Sequence, residues 1–447
     1  MAAIPPTNGG IASCLSRCFW RPLRSDAAHL PAAPAGVSIL LVLIFSERVA
    51  GCAFSASLVL YLASCPDHSQ AEALRLAATV SALGYAGTIL AGWLADRWLG
   101  LLRSLRWGCA ALISGYALLS LHRPPSLFAA LALIALGNAL FRPTLSALLC
   151  LSYPPQDARL PAAQTVLYVV ANLGGLLGAL GAGALLHFAG RGSSFRLATC
   201  AMGLGCLLLQ YGSGALQARP SISSAGAQRS ASPASRQRFH LRQHDAVMFL
   251  AALLATALLS LCFGQVEGAL LLEFSHRIAP HKSHSHMEAL AAWPVAVPAA
   301  LAVTLGAGLM RFLRRLRSDA RLLQLIALGL LALAAGFAVL LPAHAHRSNM
   351  AAEIIGLACC LLLLTLGEIL IAPLCLSLLA RVAPPQHLTL CMGAWYLALA
   401  IGAWLAGEVG ALWLRWPRLH VLLLLALLPL GGAFLLAFLL RTDRRRR

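Results

Sequence analysis

Four stretches place ionisable side chains inside long apolar runs. "LIFSERVAG" holds Glu47 and Arg48, "GNALFRPTLSALL" holds Arg142, "CFGQVEGALLL" holds Glu267 and "LTLGEILIAP" holds Glu368. An ionisable group at mid-bilayer costs at least about 2.5–3.5 kcal/mol on insertion scales, so such groups are expected to face one another or a wet cavity. Their signs divide along the chain: Arg48 and Arg142 come from the first half, Glu368 and Glu267 from the second. A cleft between the halves would then have one cationic and one anionic wall. That arrangement suits a zwitterion, because a guanidinium holds a carboxylate through two parallel hydrogen bonds and a glutamate accepts from an ammonium. With the cleft empty, Arg142 and Glu368 are expected to pair with each other. The alternative is a set of structural ion pairs that lock the halves together. Burial raises the proton affinity of a carboxylate, and an approaching cation lowers it again. Glu47 and Glu368 are therefore the candidates for proton coupling.

The elements that position these groups follow from composition. The 447 residues are 60% hydrophobic and 11% charged, with a mean hydropathy of +0.79. A soluble chain of this length could not hide so much apolar surface, so a bilayer must serve as solvent. Twelve spanning helices are predicted at about 37–63, 73–97, 102–121, 125–152, 161–189, 195–213, 246–273, 289–312, 321–342, 351–381, 386–413 and 418–440. The fold class is thus all-α and polytopic, with two six-helix bundles at 37–213 and 246–440. A tail at 1–36, a Ser-, Ala-, Gly- and Arg-rich linker at 214–245 and a basic tail at 441–447 flank and join them.

The net charge of +19 would point to nucleic acid in a soluble protein. Here the arginines concentrate in alternate loops. Arg17, Arg21, Arg24, Arg97, Arg103, Arg106, Arg159, the linker arginines, Arg311 to Arg321, Arg381 and the tail "RTDRRRR" fall on one side. The positive-inside rule puts that side, and both termini, in the cytoplasm. The tail is expected to touch anionic membrane lipid, and no nucleic-acid partner is expected. No basic and apolar leader precedes Ile11 to Cys14, so the first hydrophobic segment is expected to remain as a membrane helix. Thirteen cysteines are scattered through apolar segments with no CxxC pair, which argues for buried thiols rather than a disulfide framework or a zinc site. The segment "SHRIAPHKSHSHME" carries His276, His281, His284 and His286 and reads as a solvated loop; no metal site is expected. No GxSxG, HExxH or Walker motif is present, and the intramembrane charges do not group as a nucleophile with its base, which disfavours an enzyme.

Three segments resemble a known family. "GYAGTILAGWLADRWLG" (Gly84 to Gly100) is similar to the helix 2 and loop segment of the proton-coupled oligopeptide transporters, a branch of the Major Facilitator Superfamily. "FRPTLSALLCLSYPPQDARLPAAQTVLYVVANLGGLLGAL" resembles their helix 4 to 5 signature, and "LTLGEILIAPLCLSLLARVAPPQHLTLCMGAWYLALAIGAWLAG" their helix 10 to 11 region. The resemblance implies proton-driven transport of di- and tripeptides or other zwitterionic or anionic small molecules by alternating access. It implies no cofactor, with the proton gradient as driving force, and a bacterial inner (plasma) membrane location. It further implies that Arg48, Tyr85, Arg142, Asn172, Glu368 and Trp395 line the substrate cavity, while Glu47 and Glu368 couple protons. Asp96, Arg97 and Arg103 become a charge lock at the cytoplasmic gate. The chain also departs from the family pattern. Ile44 stands at the first glutamate of the helix 1 motif, Gly51 and Cys52 replace two tyrosines, and Arg142 replaces a lysine. Gly264 replaces the helix 7 glutamate, leaving Gln265 and Glu267 as the polar candidates there. From the residues alone, Tyr85 and Trp395 could equally be packing aromatics, Asn172 part of a small-residue helix contact, and Asp96 and Arg97 solvated helix-end charges. A carrier of another organic anion or amino-acid derivative, or a transport-deficient sensor or scaffold on the same fold, stand as alternatives.

Overall fold

The computed structural model describes residues 36–63, 70–121, 126–154, 157, 159–189, 192–217, 243–266, 300–301, 304–306, 319–345, 350–412 and 416–446. Among them the long elements are all helical: α1 (Val37–Ala63), α2 (Gln70–Leu94), α3 (Leu101–Ser120), α4 (Leu127–Leu151), α5 (Leu160–Ala189) and α6 (Ser193–Gln217) in the first half. In the second half come α7 (Gln243–Gln265), α8 (Asp319–Ala345), α9 (Met350–Val382), α10 (Leu388–Leu412) and α11 (Arg418–Arg446). Helix is the form a lipid-facing backbone must take, because no water is present there to satisfy its N–H and C=O groups. Nine of these helices are long and apolar enough to cross a membrane. Most of the predicted eighth span, the centre of the linker, Glu267 and the histidine-rich segment lie outside the described residues. The last helix continues past its apolar run to Arg446, so the basic segment extends α11.

Packing in the second half repeats packing in the first. Helix α1 lies against α5 and α6, and α3 against α4 and α6. Correspondingly, α7 lies against α10 and α11, and α8 against α9 and α11. The centre of the first bundle is filled by Tyr116, Phe141, Phe195, Leu40, Leu105 and Leu112, all fully buried. Outer faces present Leu90, Leu250 and Phe434, as expected of surfaces solvated by acyl chains.

Small residues set how closely the helices approach. A Cβ on Gly137 of α4 would sit 2.9 Å from the backbone nitrogen of Leu112 and 3.0 Å from the carbonyl oxygen of Gly108, both on α3. Neither neighbour can yield without moving a helix, and α4 carries Arg142 little more than one turn further on. Gly137→Leu is therefore expected to lower stability by about 1–3 kcal/mol through overpacking, read as a fall in the thermal midpoint of the purified protein. Leu136→Ala, at an exposed position on the same helix, should leave the midpoint within about 0.5 kcal/mol of the parent.

Candidate functional site

Glu47 is one turn from the centre of α1 and only 1% exposed. Its Oε1 accepts from Arg142 Nη2 of α4 at 3.3 Å, forming an ion pair within the first half. This corrects the expectation that Arg142 pairs with Glu368. The reason is positional: α1 and α4 belong to the same bundle and bring the two groups together, whereas Glu368 on α9 faces Tyr168 of α5. The Arg142 guanidinium also lies over the Tyr85 ring of α2, 4.8 Å from its centroid. A cation over an aromatic face is attracted by the ring quadrupole, more strongly when desolvated. Arg48 adds a second guanidinium in the fields of Glu47, Arg142, Tyr85 and Cys52.

The aromatic layer continues into the second half. Tyr85 stacks on Tyr396 of α10 at 6.4 Å and 23° between planes. Tyr396 meets Trp395 edge-on at 4.7 Å. The Tyr396 hydroxyl and Ser146 Oγ of α4 are 3.3 Å apart, a side-chain hydrogen bond between the halves. Trp395 is 8% exposed, and its buried indole N–H has no acceptor among the described residues. Asn138 Oδ1, one turn before Arg142, is likewise buried without a partner. Both are polar groups that a ligand could satisfy. On α5, Asn172 Nδ2 donates to the Tyr168 carbonyl of its own helix at 3.0 Å.

The Arg48, Glu47, Tyr85 and Arg142 quartet is thus gathered on one wall, with Trp395 reaching it through Tyr396. Glu368 and Asn172 gather around Tyr168. Sequence reasoning missed Tyr396, Tyr168, Ser146 and Asn138. For Tyr168 the usable signal was its spacing: it precedes Asn172 by four residues and so shares its helix face.

Helix 7 carries no carboxylate among its described residues that reaches this cluster. A Cβ on Gly264 would stand 2.5 Å from Ala406 Cβ. Gln265 is fully buried and donates its amide to the Ala406 carbonyl at 2.8 Å. This face of α7 is committed to packing on α10.

The Arg-rich end of the bundle is closed. Asp96 Oδ2 accepts from the Leu390 backbone N–H at 2.8 Å, in the first turn of α10. A carboxylate there satisfies an orphan donor and the positive end of the helix dipole. Thr88 Oγ1 donates to the Gly393 carbonyl at 3.1 Å. Cβ atoms at Gly92 and Gly393 would each stand 2.6 Å from the carbonyl oxygens of Thr389 and Thr88 respectively, so α2 and α10 touch backbone to backbone. The other two expected members of the lock face outward: Arg97 is exposed and lies over Trp93 at 5.4 Å, and Arg103 is exposed. At the same end, between α4 and α5, Arg159 pairs with Asp157 at 2.6 Å. Burial pushes the Asp157 carboxyl up, but hydrogen bonds from the Arg159 guanidinium and backbone outweigh it, and the group lies below its usual range.

The chain belongs to the Major Facilitator Superfamily, whose pattern matches residues 49–407. It is a multi-pass integral membrane protein of a transporter superfamily, not an enzyme. Relatives include the dipeptide and tripeptide permease A of Proteus mirabilis, 35% identical over 144 residues, which are 31% of this chain and 30% of that permease. The dipeptide and tripeptide permease B of Yersinia enterocolitica is 39% identical over 111 residues, 24% of this chain and 22% of its own. These alignments span less than a third of either permease. Among solved structures, a POT family transporter in complex with 5-aminolevulinic acid superposes with a TM-score of 0.66 at 18% identity, covering 92% of this chain and 96% of that one. The human organic anion transporter MFSD10 superposes with a TM-score of 0.70 at 15% identity, covering 91% and 100%.

The buried pair makes a stability prediction. Arg142→Gln leaves the Glu47 carboxylate buried beside a neutral amide and is expected to cost about 3–5 kcal/mol. Adding Glu47→Gln removes the orphaned charge and should recover most of that loss. The measurement is the thermal midpoint of the two variants against the parent protein.

Proposed function

We propose that the chain is a proton-coupled carrier of di- and tripeptides or related zwitterions, working by alternating access in a bacterial inner membrane with both termini cytoplasmic. The observation that carries this reading is the buried Arg142–Glu47 pair on the Tyr85–Tyr396 stack, with Glu368 on the other bundle. The permease relatives and the POT family neighbours support it. While Glu47 is ionised it occupies Arg142. A proton on Glu47 releases the guanidinium to a substrate carboxylate, with Arg48 beside it. The substrate ammonium is taken by Glu368, and Trp395 supplies an indole N–H. With the Arg-rich end cytoplasmic, the Asp96–Leu390 contact and the α2–α10 seam form the shut inner gate. Membrane lipid and protons are the remaining partners, and no cofactor takes part.

Position 264 favours a second reading. The packing of Gly264 on Ala406 leaves no room for a helix 7 carboxylate without moving α10. With Glu47 protonated, the site sets two guanidiniums, Arg48 and Arg142, against the single carboxylate of Glu368. A monoanion such as an amino-acid derivative would suit that net positive balance.

Uptake of labelled dialanine into proteoliposomes, with and without an inward proton gradient, decides between them. Acceleration by the gradient is expected. Glu47→Gln is expected to abolish the acceleration. Arg48→Gln or Glu368→Gln should weaken apparent affinity about tenfold or more, since a charge-assisted hydrogen bond contributes about 1.5–3 kcal/mol. Flux of amino-acid derivatives without peptide flux would favour the second reading, and binding without flux a sensor. Asp96→Ala, which removes a helix-terminal acceptor worth about 1 kcal/mol, should raise the reactivity of a cysteine placed at Thr389 toward a membrane-impermeant maleimide applied from the cytoplasmic side.

A further inference from the structure

Arginines and tryptophans are interleaved around the corner that joins α2 to α3. The corner is short: Ala95–Leu99 form one π turn, closed by the Gly100 N–H donating to the Ala95 carbonyl at 3.0 Å. Gly100 follows with φ 77° and ψ 155°, a conformation essentially reserved for glycine, and α3 begins at Leu101. Arg97 and Arg103 therefore stand three residues either side of Gly100, and Trp93 and Trp107 seven residues either side. All four are exposed, Trp107 to 63%, and Trp98 on the turn itself to 68%. Residues five apart on an α-helix point about 140° apart, whereas the wider π turn brings the Trp98 ring to 5.9 Å from that of Trp93. Arg97 lies over the same Trp93 ring at 5.4 Å, and Arg103 precedes Trp107 by one helical turn.

The charges of this corner are one-sided. Asp96 is buried and directs its carboxylate to the Leu390 N–H of α10. Arg106 turns inward and donates to Ser213 Oγ of α6 at 3.1 Å. Neither Arg97 nor Arg103 forms an ion pair with a carboxylate among the described residues. Tryptophan at a membrane surface sits at the level of the headgroups, and a guanidinium forks onto phosphate oxygens. A guanidinium already stacked on an indole has less freedom to lose when it does so. A zwitterionic headgroup would need an acceptor for its ammonium as well, and Asp96 faces the other way. We propose that the α2–α3 corner binds an anionic phospholipid, its phosphate on Arg97 and Arg103 and its glycerol and upper acyl chains against Trp93, Trp98 and Trp107. This gives the membrane-lipid partner a headgroup class and a place on the fold, and it is independent of what the cleft carries.

The test is tryptophan quenching in phosphatidylcholine vesicles that carry a small fixed fraction of phosphatidylglycerol with brominated acyl chains. Brominated phosphatidylcholine at the same fraction is the reference. The parent protein is expected to be quenched more by the anionic lipid than by the reference. Arg97→Gln with Arg103→Gln should cut that preference about tenfold, through two lost contacts with an anionic headgroup. Arg444→Gln with Arg445→Gln, which removes the same charge from the end of α11, should leave it unchanged. In Trp98→Phe with Trp107→Phe most of the excess quenching should disappear, because its reporters are gone. No excess in the parent overturns the inference. An equal fall in the two arginine pairs also overturns it, since that marks a diffuse field, as does an excess that survives loss of Trp98 and Trp107. Thermal melts check each variant, and the tryptophan pair, which keeps both charges, decides the matter if the Arg97 and Arg103 pair melts early. Neither substrate nor proton gradient takes part, so dialanine uptake stands or falls separately.

Discussion

The buried ion pair between Glu47 and Arg142 is the constraint to which the rest of the structure answers. Two charges withdrawn from water into a low-dielectric interior are tolerable only with good geometry and further partners. The partners are visible: Tyr85 beneath the Arg142 guanidinium, Tyr396 beyond it, and Arg48 in the field of Glu47. The helices that deliver them are held by tight backbone approach, glycine against backbone between α3 and α4. An apolar pair at these positions would be easier to bury. In the proposed function, retaining charge gives the first bundle an element with two states, paired and released, that a single proton on Glu47 switches.

Much of this was legible in the sequence because the bilayer imposes length. Runs of apolar residues near 20 long, rising 1.5 Å per residue, mark spans with little ambiguity, and α1 spans 37–63 as read. Charges inside such runs stand out for the same reason, so Glu47, Arg48, Arg142 and Glu368 were visible at once. Their partners were not. Which carboxylate meets Arg142 depends on the height and rotation of helices distant in sequence, and neither is encoded in periodicity. Tyr396, Tyr168 and Ser146 escaped notice because in an apolar helix a tyrosine that stacks or a serine that bridges looks like any other core residue. Arg97 and Arg103 were read as partners of Asp96, yet the carboxylate found a backbone N–H instead. A helix terminus offers a fixed partial charge with no side-chain freedom to lose.

Loss of the helix 7 carboxylate also has a structural face. With Gly264 against Ala406 and Gln265 bonded to its carbonyl, α7 and α10 form one tightly joined pair inside the second bundle. The α10 end that receives Asp96 is therefore tied to α7, and in the proposed cycle motion at the gate is carried by the bundle rather than by a single helix.

On the Asp96 side of the Tyr85–Tyr396 stack, the contact between α2 and α10 is made largely of main chain: glycine facing carbonyl, twice, with one threonine hydroxyl across it. Such a surface has few rotamers to freeze when it forms and few to liberate when it parts, so the entropy change per cycle is small. Long charged side chains in the same place would have to be ordered and dried on each closure. In the proposed alternating-access cycle, such a joint opens and shuts with a shallow free-energy difference between its two positions, leaving the occupant of the cleft to decide which is favoured.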